Sequence, residues 1–177
     1  MARYIALIVV FAILIGIFAA GLNRDPRKLP SPLIDRPAPE YELPSVRDPL
    51  STTGSEDYEG VMVLVNVWAT WCVGCRQEHE YLLELASRNE LPIYGIDWRD
   101  QLPEAQKWLT QLGDPYVASG YDEDGRVGID WGVYGAPETF LVSADGNVLY
   151  KHVGPMDEAI WQREFVPRIN AQTVATR

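Results

Sequence analysis

The chain has 177 residues, a length that suits one domain and an accessory segment. Its formal net charge of −10 and its pI near 4.6 exclude the basic surface that nucleic-acid binding requires. A net charge of this size indicates a well-solvated protein surface and does not by itself identify a binding partner.

The N-terminal stretch from Tyr4 to Leu22 contains no charged residue. A helix of this length, at about 1.5 Å per residue, approaches the ~30 Å hydrocarbon core of a bilayer. We therefore predict a transmembrane helix over residues 1–22. The alternative is a cleaved signal peptide, because Ala19-Ala20-Gly21 offers small residues for cleavage.

The next segment, residues 23–39, carries five prolines and is predicted to form an extended linker to a domain over residues 40–177. The charges beside the helix bear on its orientation. Only Arg3 precedes it, whereas Arg24, Arg27 and Lys28 follow it. By the positive-inside rule alone, the domain would lie in the cytoplasm.

Within the domain, hydrophobic periodicity and turn signals predict an ordered series of elements. After a polar, turn-rich stretch over residues 41–60, these are a buried strand (61–67), a helix (73–88), a strand (92–97), a helix (102–112), a short strand (116–119), a helical turn (125–132), two strands of a hairpin (138–143 and 148–152) and a last helix (157–169). A βαβ unit followed by ββα, with C-x-x-C opening the first helix, predicts an α/β, thioredoxin-like fold. Residues 102–131 exceed what the minimal fold needs, so we expect a central insertion there.

The only two cysteines, Cys72 and Cys75, follow the first buried strand and open the helix after it. Free amides and the helix dipole at that position stabilise a thiolate. Haem attachment needs C-x-x-C-H, but Arg76 occupies the histidine position. A zinc site would have to recruit His79 and His152, a weak pattern, and a permanent disulfide over so short a loop would add little stability.

A reversible, redox-active disulfide Cys72–Cys75 fits best, with no metal and no further cofactor. In that reading Cys72, at the helix start, attacks a partner disulfide, and Cys75 resolves the mixed disulfide. Trp71 beside the nucleophile is predicted to form part of the docking surface, with packing in the core as the alternative.

Carboxylates near the thiols would raise the thiol pKa and tune the redox equilibrium. Asn66 stands six positions before Cys72, where thioredoxin has a buried carboxylate, and an amide cannot titrate. A proton acceptor must therefore come from elsewhere. The candidates are Glu138, then Glu78 and Asp97, each with the alternative of an ordinary surface carboxylate.

Three stretches together carry a specific resemblance: LVNVWATWCVGCRQEH, YGIDWRD, and GVYGAPETFLVSADGNVLYKHVGPM. They resemble the cytochrome c biogenesis thiol:disulfide interchange proteins, the DsbE/CcmG family, over roughly residues 37–169. The resemblance implies that Pro137 follows a cis peptide bond and lies opposite the cysteines, with Glu138 next to it. One departure is Val73-Gly74 between the cysteines, where Pro-Thr is common in the family.

The resemblance also implies a function and a location. It implies a single-pass protein of the bacterial inner membrane with its domain in the periplasm, against the charge count around the helix. There it would keep the cysteines of apocytochrome c, or of a cytochrome c maturation thiol protein, reduced for haem attachment. A membrane thiol reductase of the DsbD/CcdA kind would re-reduce it. The alternatives are a general periplasmic thiol reductase or oxidase, and a tethered chaperone that binds apocytochromes in a groove lined by the insertion.

Overall fold

The computed structural model describes residues 2–22 and 31–175. The chain divides into two compact units, with the boundary between residues 30 and 31. In the first unit the described residues form one helix, α1 (Ala2–Leu22). Among the described residues, no helix combines the length and apolarity needed to cross a membrane. The transmembrane helix over residues 1–22 therefore stays a prediction.

The second unit begins earlier than the sequence predicts. Ile34 forms a β-bridge with Val148, and Pro37 forms one with Asn147. These bridges form because Leu33, Ile34 and Ala38 pack against buried apolar residues. Residues 31–39 of the predicted linker thus belong to the second unit, and residues 23–30 lie outside the described residues. The hairpin β1 (Glu42–Pro44) and β2 (Thr52–Gly54) follows.

A five-stranded sheet forms the centre of this unit. Its strands are β3 (Val63–Trp68), β4 (Ile93–Trp98), β5 (Ala118–Asp122), β6 (Glu138–Val142) and β7 (Val148–Val153). Their order is β5-β4-β3-β6-β7. β3, β4 and β5 run parallel, and β6 is antiparallel to both of its neighbours. Every residue of β3 is buried, as expected for an apolar run covered on both faces.

Helices cover the sheet and are joined to it by short connections. They are α2 (Val73–Ser87), α3 (Leu102–Leu112), α4 (Arg126–Asp130), α5 (Glu158–Ile160) and α6 (Val166–Ala175). A π-helical turn (Trp161–Phe165) joins α5 to α6, so the last helix is longer and less regular than predicted. Trp161 and Phe165, both fully buried, lie at the two ends of this turn.

Side chains alternate across the sheet and form two cores. The cysteine-side core contains Cys72 and Cys75 together with residues of β3, α2, α3 and the last helix, among them Leu64, Trp68, Leu82, Trp108 and Trp161. The opposite core contains Val63, Val65, Val67, Ile96, Trp131 and Phe140. α2 therefore packs on one face of the sheet and positions the cysteines at the end where β3 finishes.

The region predicted as an insertion, residues 102–131, folds as α3, β5 and α4, and β5 becomes an edge strand of the sheet. This strand starts later than predicted. The carbonyl oxygens of Tyr116 and Val117 accept hydrogen bonds from the Arg47 guanidinium, so the regular strand begins only at Ala118. The acidic residues Asp122-Glu123-Asp124 lead from the end of β5 into α4, and the Asp122 carboxylate accepts hydrogen bonds from the amides of Val127 and Gly128.

Candidate active site

The cysteines lie in the turn between β3 and α2. Cys72 is the N-cap of α2, and its Sγ accepts a hydrogen bond from the Cys75 amide at 3.0 Å. The two residues form a disulfide with their Cα atoms 5.3 Å apart. Cys72 is only 5% exposed, but its neighbours Trp71 and Val73 are 54% and 74% exposed. A partner therefore reaches the disulfide through contact with these flanking side chains.

A cis-proline loop packs directly against the cysteine turn. The Ala136–Pro137 peptide bond is cis, as the resemblance implies. A Cβ added at Gly74 would lie 2.8 Å from Pro137 Cδ and 3.2 Å from Pro155 Cγ. Both distances are shorter than ordinary van der Waals contact, so a side chain at position 74 would clash with the two prolines, whereas glycine fits. The loop is also hydrogen-bonded to the residue that follows β7, because Gly154 N donates to Pro137 O at 2.9 Å.

Trp71 is held at the surface by the end of β4. Its Nε1 donates to Arg99 O at 3.0 Å, and its ring centroid lies 6.0 Å from that of Trp98. The preceding residue, Thr70, donates both its amide and its hydroxyl to the Asp100 carboxylate. The turn that leads into Cys72 is therefore fixed by the loop after β4, and the exposed Trp71 ring is available to a partner.

Glu78 lies one turn after Cys75 and is 1% exposed in the cysteine-side core. Its carboxylate accepts hydrogen bonds from Asn66 Nδ2 at 2.9 Å and from Met156 N at 2.8 Å. Asn66 is itself fixed by Tyr116, whose hydroxyl donates to Asn66 Oδ1 at 2.8 Å. Burial raises the pKa of Glu78 to about 8, and these hydrogen bonds offset only part of the rise. Glu78 thus titrates close to neutral pH.

Asp97, near the end of β4, is fully buried. It is paired in register with Trp68 of β3, so their side chains share the cysteine side of the sheet. Its pKa is raised to about 9, mainly by burial and further by the nearby Asp100 and Asp122 carboxylates. Asp97 therefore keeps its proton at neutral pH.

Glu138 is placed differently from Glu78 and Asp97. It alternates with Phe140 on β6, so its side chain faces the opposite core. Its carboxylate pairs with Lys151 Nζ at 2.9 Å, and the side chains of Glu138 and Lys151 are 0% and 4% exposed. Burial raises the pKa of Glu138, and the Lys151 ammonium offsets part of that rise. Glu138 is thus a compensated charge on the face away from α2.

The two histidines serve in packing. His79 Nδ1 lies 3.2 Å from Trp108 Nε1, which donates to it, and His79 Nε2 lies 3.1 Å from Gly113 O. Burial lowers the pKa of both His79 and His152. Within residues 2–22 and 31–175, no group of three or more His, Cys, Asp or Glu side chains is arranged to hold a metal ion.

A cavity of about 770 Å³ lies far from this chemistry. It is lined by the β1–β2 hairpin, the residues after it and the β6–β7 turn, including Tyr41, Tyr58 and Asp145. Because β6 is antiparallel to β3, this turn lies at the end where β3 begins, and the cysteines follow the other end. A second cavity, of about 560 Å³, lies in the region predicted as an insertion and is lined by Gln106, Leu109, Thr110 and Asp114 together with Val46 and Arg47.

Several residues that shape the site did not stand out in the sequence. Asp100 and Lys151 are separated from the cysteine motif by many residues. The register of the β6–β7 hairpin carries a signal for Lys151, since it pairs Lys151 with Phe140 and so places it diagonally from Glu138. The sequence carries no such signal for Tyr116. Its hydrogen bond to Asn66 forms only because the chain before β5 packs beside β3 in the folded protein.

A disulfide at the start of the helix after a central strand, facing a cis-proline loop, defines a thioredoxin-like thiol:disulfide oxidoreductase. The Redoxin family model matches residues 34–165. The chain is 49% identical over 158 residues to the thiol:disulfide interchange protein DsbE of Allochromatium vinosum, covering 89% of this chain and 87% of the relative. It is 42% identical over 144 residues to DsbE of Escherichia coli, covering 81% and 77%.

A solved structure agrees with these relatives. The chain is similar to a thiol:disulfide interchange protein of the thioredoxin family from Chlorobium tepidum, with 28% identity and a TM-score of 0.60 over 72% of this chain and 91% of that one. The chain belongs to the Redoxin family and, within it, to the DsbE/CcmG thiol:disulfide interchange proteins. It is a protein-disulfide oxidoreductase.

The contact between Gly74 and Pro137 yields a first prediction. In Gly74→Ala, overpacking costs about 1–3 kcal/mol, whereas the gain in helix propensity is at most about 1 kcal/mol. We expect the oxidised variant to lose roughly 1–2 kcal/mol of unfolding free energy, measured by urea denaturation. The exposed control Val73→Ala should change it by less than about 0.5 kcal/mol. Equal stability of Gly74→Ala and the wild type would contradict the contact.

The pKa of Glu78 yields a second prediction. It is about 8 in the folded chain against an ordinary 4.5, so the folded state holds an extra proton between these pH values. Stability from this group is complete below pH 4.5 and is lost as the pH rises through about 8. Compared with Glu78→Gln, the oxidised wild type should lose up to about 1.4 kcal/mol per pH unit in that window.

Urea unfolding at several pH values measures this difference, and the oxidised protein has no thiols to titrate. Glu80→Gln removes an exposed carboxylate from the same helix and is the matched control for the loss of one charge. If the difference in unfolding free energy between Glu78→Gln and the wild type stayed constant over this pH range, Glu78 would be charged in the folded protein throughout it, and the prediction would be wrong.

Proposed function

We propose that this protein is a membrane-anchored periplasmic reductant of cytochrome c maturation. It keeps the cysteines of apocytochrome c, or of a partner thiol protein, reduced so that haem can be attached. The observation that carries the proposal is the redox pair Cys72–Cys75 facing Pro137 in a chain that resembles DsbE proteins over nearly all of its length. A membrane thiol reductase of the DsbD/CcdA kind then returns the pair to the dithiol form.

The exchange moves two electrons in two steps. In the reduced protein, the Cys72 thiolate attacks one sulfur of the partner disulfide, which forms a mixed disulfide and releases the partner's other sulfur as a thiolate. The Cys75 thiolate then attacks Cys72 Sγ, which forms Cys72–Cys75 and releases the second partner sulfur. The partner ends as a dithiol and this protein as a disulfide.

The resolving step requires that Cys75 lose its proton. Glu78 is the best-placed carboxyl, because it lies one turn further along α2, faces the same core and has a pKa of about 8. A group that titrates near the working pH both accepts and returns protons. We assign this role to Glu78 in place of Glu138, whose charge Lys151 compensates on the other face. Asp97, which holds its proton more tightly, serves as a neutral neighbour.

Cysteine substitutions test the exchange. Cys72→Ser should abolish reduction of insulin disulfides, because the attacking sulfur is gone. Cys75→Ser should accumulate a mixed disulfide through Cys72, because nothing resolves it. The partner is identified by mass spectrometry after non-reducing electrophoresis, with Cys72→Ser/Cys75→Ser as the control that traps nothing. Undiminished activity of Cys72→Ser would remove the enzyme mechanism.

The identity of the trapped partner separates the alternatives. Apocytochrome c or a maturation thiol protein supports the proposal, whereas a broad set of unrelated periplasmic proteins supports a general thiol reductase or oxidase. A tethered chaperone would instead bind apocytochrome peptides equally well after loss of both cysteines.

The proposed location rests on the uncharged run Tyr4–Leu22, which lies within helix α1, and on the family resemblance. An uncleaved helix of this composition would anchor the domain to the inner membrane. The positive charges after it argue for the opposite orientation, so topology needs a direct test. We expect a periplasm-dependent reporter fused after Arg177 to be active. If only a cytoplasm-dependent reporter were active, the domain would lie in the cytoplasm and the proposed orientation would be wrong.

A further inference from the structure

One lysine contacts the cis-proline loop at several points. Lys151, on β7, has a side chain that is only 4% exposed. Its Nζ donates to Gly132 O at 2.8 Å, pairs with Glu138 Oε2 at 2.9 Å and lies 4.4 Å from the centre of the Tyr134 ring. A single ammonium therefore contacts the beginning, the middle and the end of the segment 132–138.

These contacts are of three different kinds. The Lys151 ammonium donates one hydrogen bond to a carbonyl, forms an ion pair with a carboxylate and lies over an aromatic face. The Glu138 carboxylate also accepts a hydrogen bond from Tyr134 N at 3.3 Å, so it binds the loop from inside while Lys151 binds it from β7. An apolar side chain of the same size would fill the space but would leave Gly132 O and Glu138 without this donor.

The loop that Lys151 organises is the one that faces the disulfide. Pro137 lies within it and contacts the Gly74 position between the cysteines. Tyr134, whose ring lies against the ammonium, is 54% exposed and belongs to the same loop. A shift of the loop would move both Pro137 and an exposed aromatic side chain relative to Cys72.

We propose that Lys151 is a positioning residue for thiol:disulfide exchange, which holds the loop 132–138 so that Pro137 and Tyr134 meet a polypeptide partner in register with Cys72. Glu138 is then the loop's anchor for that ammonium. The inference rests on the exchange activity alone and holds for any protein partner, whether or not the partner belongs to cytochrome c maturation.

The test compares two substrates of the full-length protein. Insulin presents a polypeptide around its disulfide, whereas 2-hydroxyethyl disulfide is too small to contact the loop and Trp71 together. Lys151→Met should lower kcat/KM for insulin on the order of tenfold to a hundredfold, since misplacement by about 1 Å has effects of this size. The rate with 2-hydroxyethyl disulfide should change little. Lys151→Arg keeps the charge and the donors and should recover most of the loss.

Two further variants separate positioning from simple stability. Lys107→Met removes an exposed lysine on α3 and should leave both rates unchanged. Lys151→Met/Glu138→Gln leaves no unpaired buried charge, so it should unfold at a higher urea concentration than Lys151→Met while insulin reduction stays low.

Recovery of insulin reduction in the double variant would overturn the proposal, because Lys151 would then act only as a counter-charge. Equal losses with both substrates would overturn it too, since the effect would be on the thiols themselves. A wild type inactive with both substrates would instead refute the exchange activity, which is a separate failure.

Discussion

Pro137 lies against the bare backbone of Gly74, between the two cysteines, and this contact joins the two halves of the fold at the reacting atoms. Cys72 and Cys75 follow the parallel β3, whereas Pro137 precedes the antiparallel β6, so only the pairing of these central strands brings them together. The geometry of the disulfide site is therefore a property of the whole sheet. It tolerates no side chain at Gly74 without movement of one half against the other.

Electrostatics around the site depend on burial more than on the number of acidic residues. Glu78 and Asp97 face the cysteine side, but their pKa values of about 8 and 9 leave them largely protonated at neutral pH. Glu138 is paired with Lys151. The sequence predicts carboxylates that raise the thiol pKa by their negative charge. In the fold, two of these groups are mostly protonated at neutral pH and the third is paired with a lysine, and we propose that Glu78 exchanges protons and that Glu138 anchors the loop.

Much of this architecture could be predicted from the sequence, because its signals are local. The apolar run before Cys72 predicts β3, and turn signals predict the β6–β7 hairpin, both to within a few residues. Hydrophobic periodicity predicts helix α3 at its observed bounds. The sequence does not indicate where the compact unit starts, since residues 31–39 are proline-rich yet fold into turns and β-bridges that partly bury Leu33 and Ile34. Asp100 could not be predicted because tertiary packing alone brings it to Thr70, and Lys151 could not because only the exact register of the β6–β7 hairpin places it beside Glu138. The protonation state of each carboxyl group could not be predicted from the sequence either, because it depends on how deeply the folded chain buries that group.

We propose that Cys72 and Cys75 give electrons to a cysteine pair of the cytochrome c type. This proposal is tested most directly by mixing the reduced full-length protein with an oxidised C-x-x-C-H peptide and counting free thiols by alkylation and mass spectrometry at equilibrium. We expect the peptide to become a dithiol while an equal amount of Cys72–Cys75 disulfide forms. A peptide that stays oxidised beside reduced Cys72 and Cys75 would contradict it.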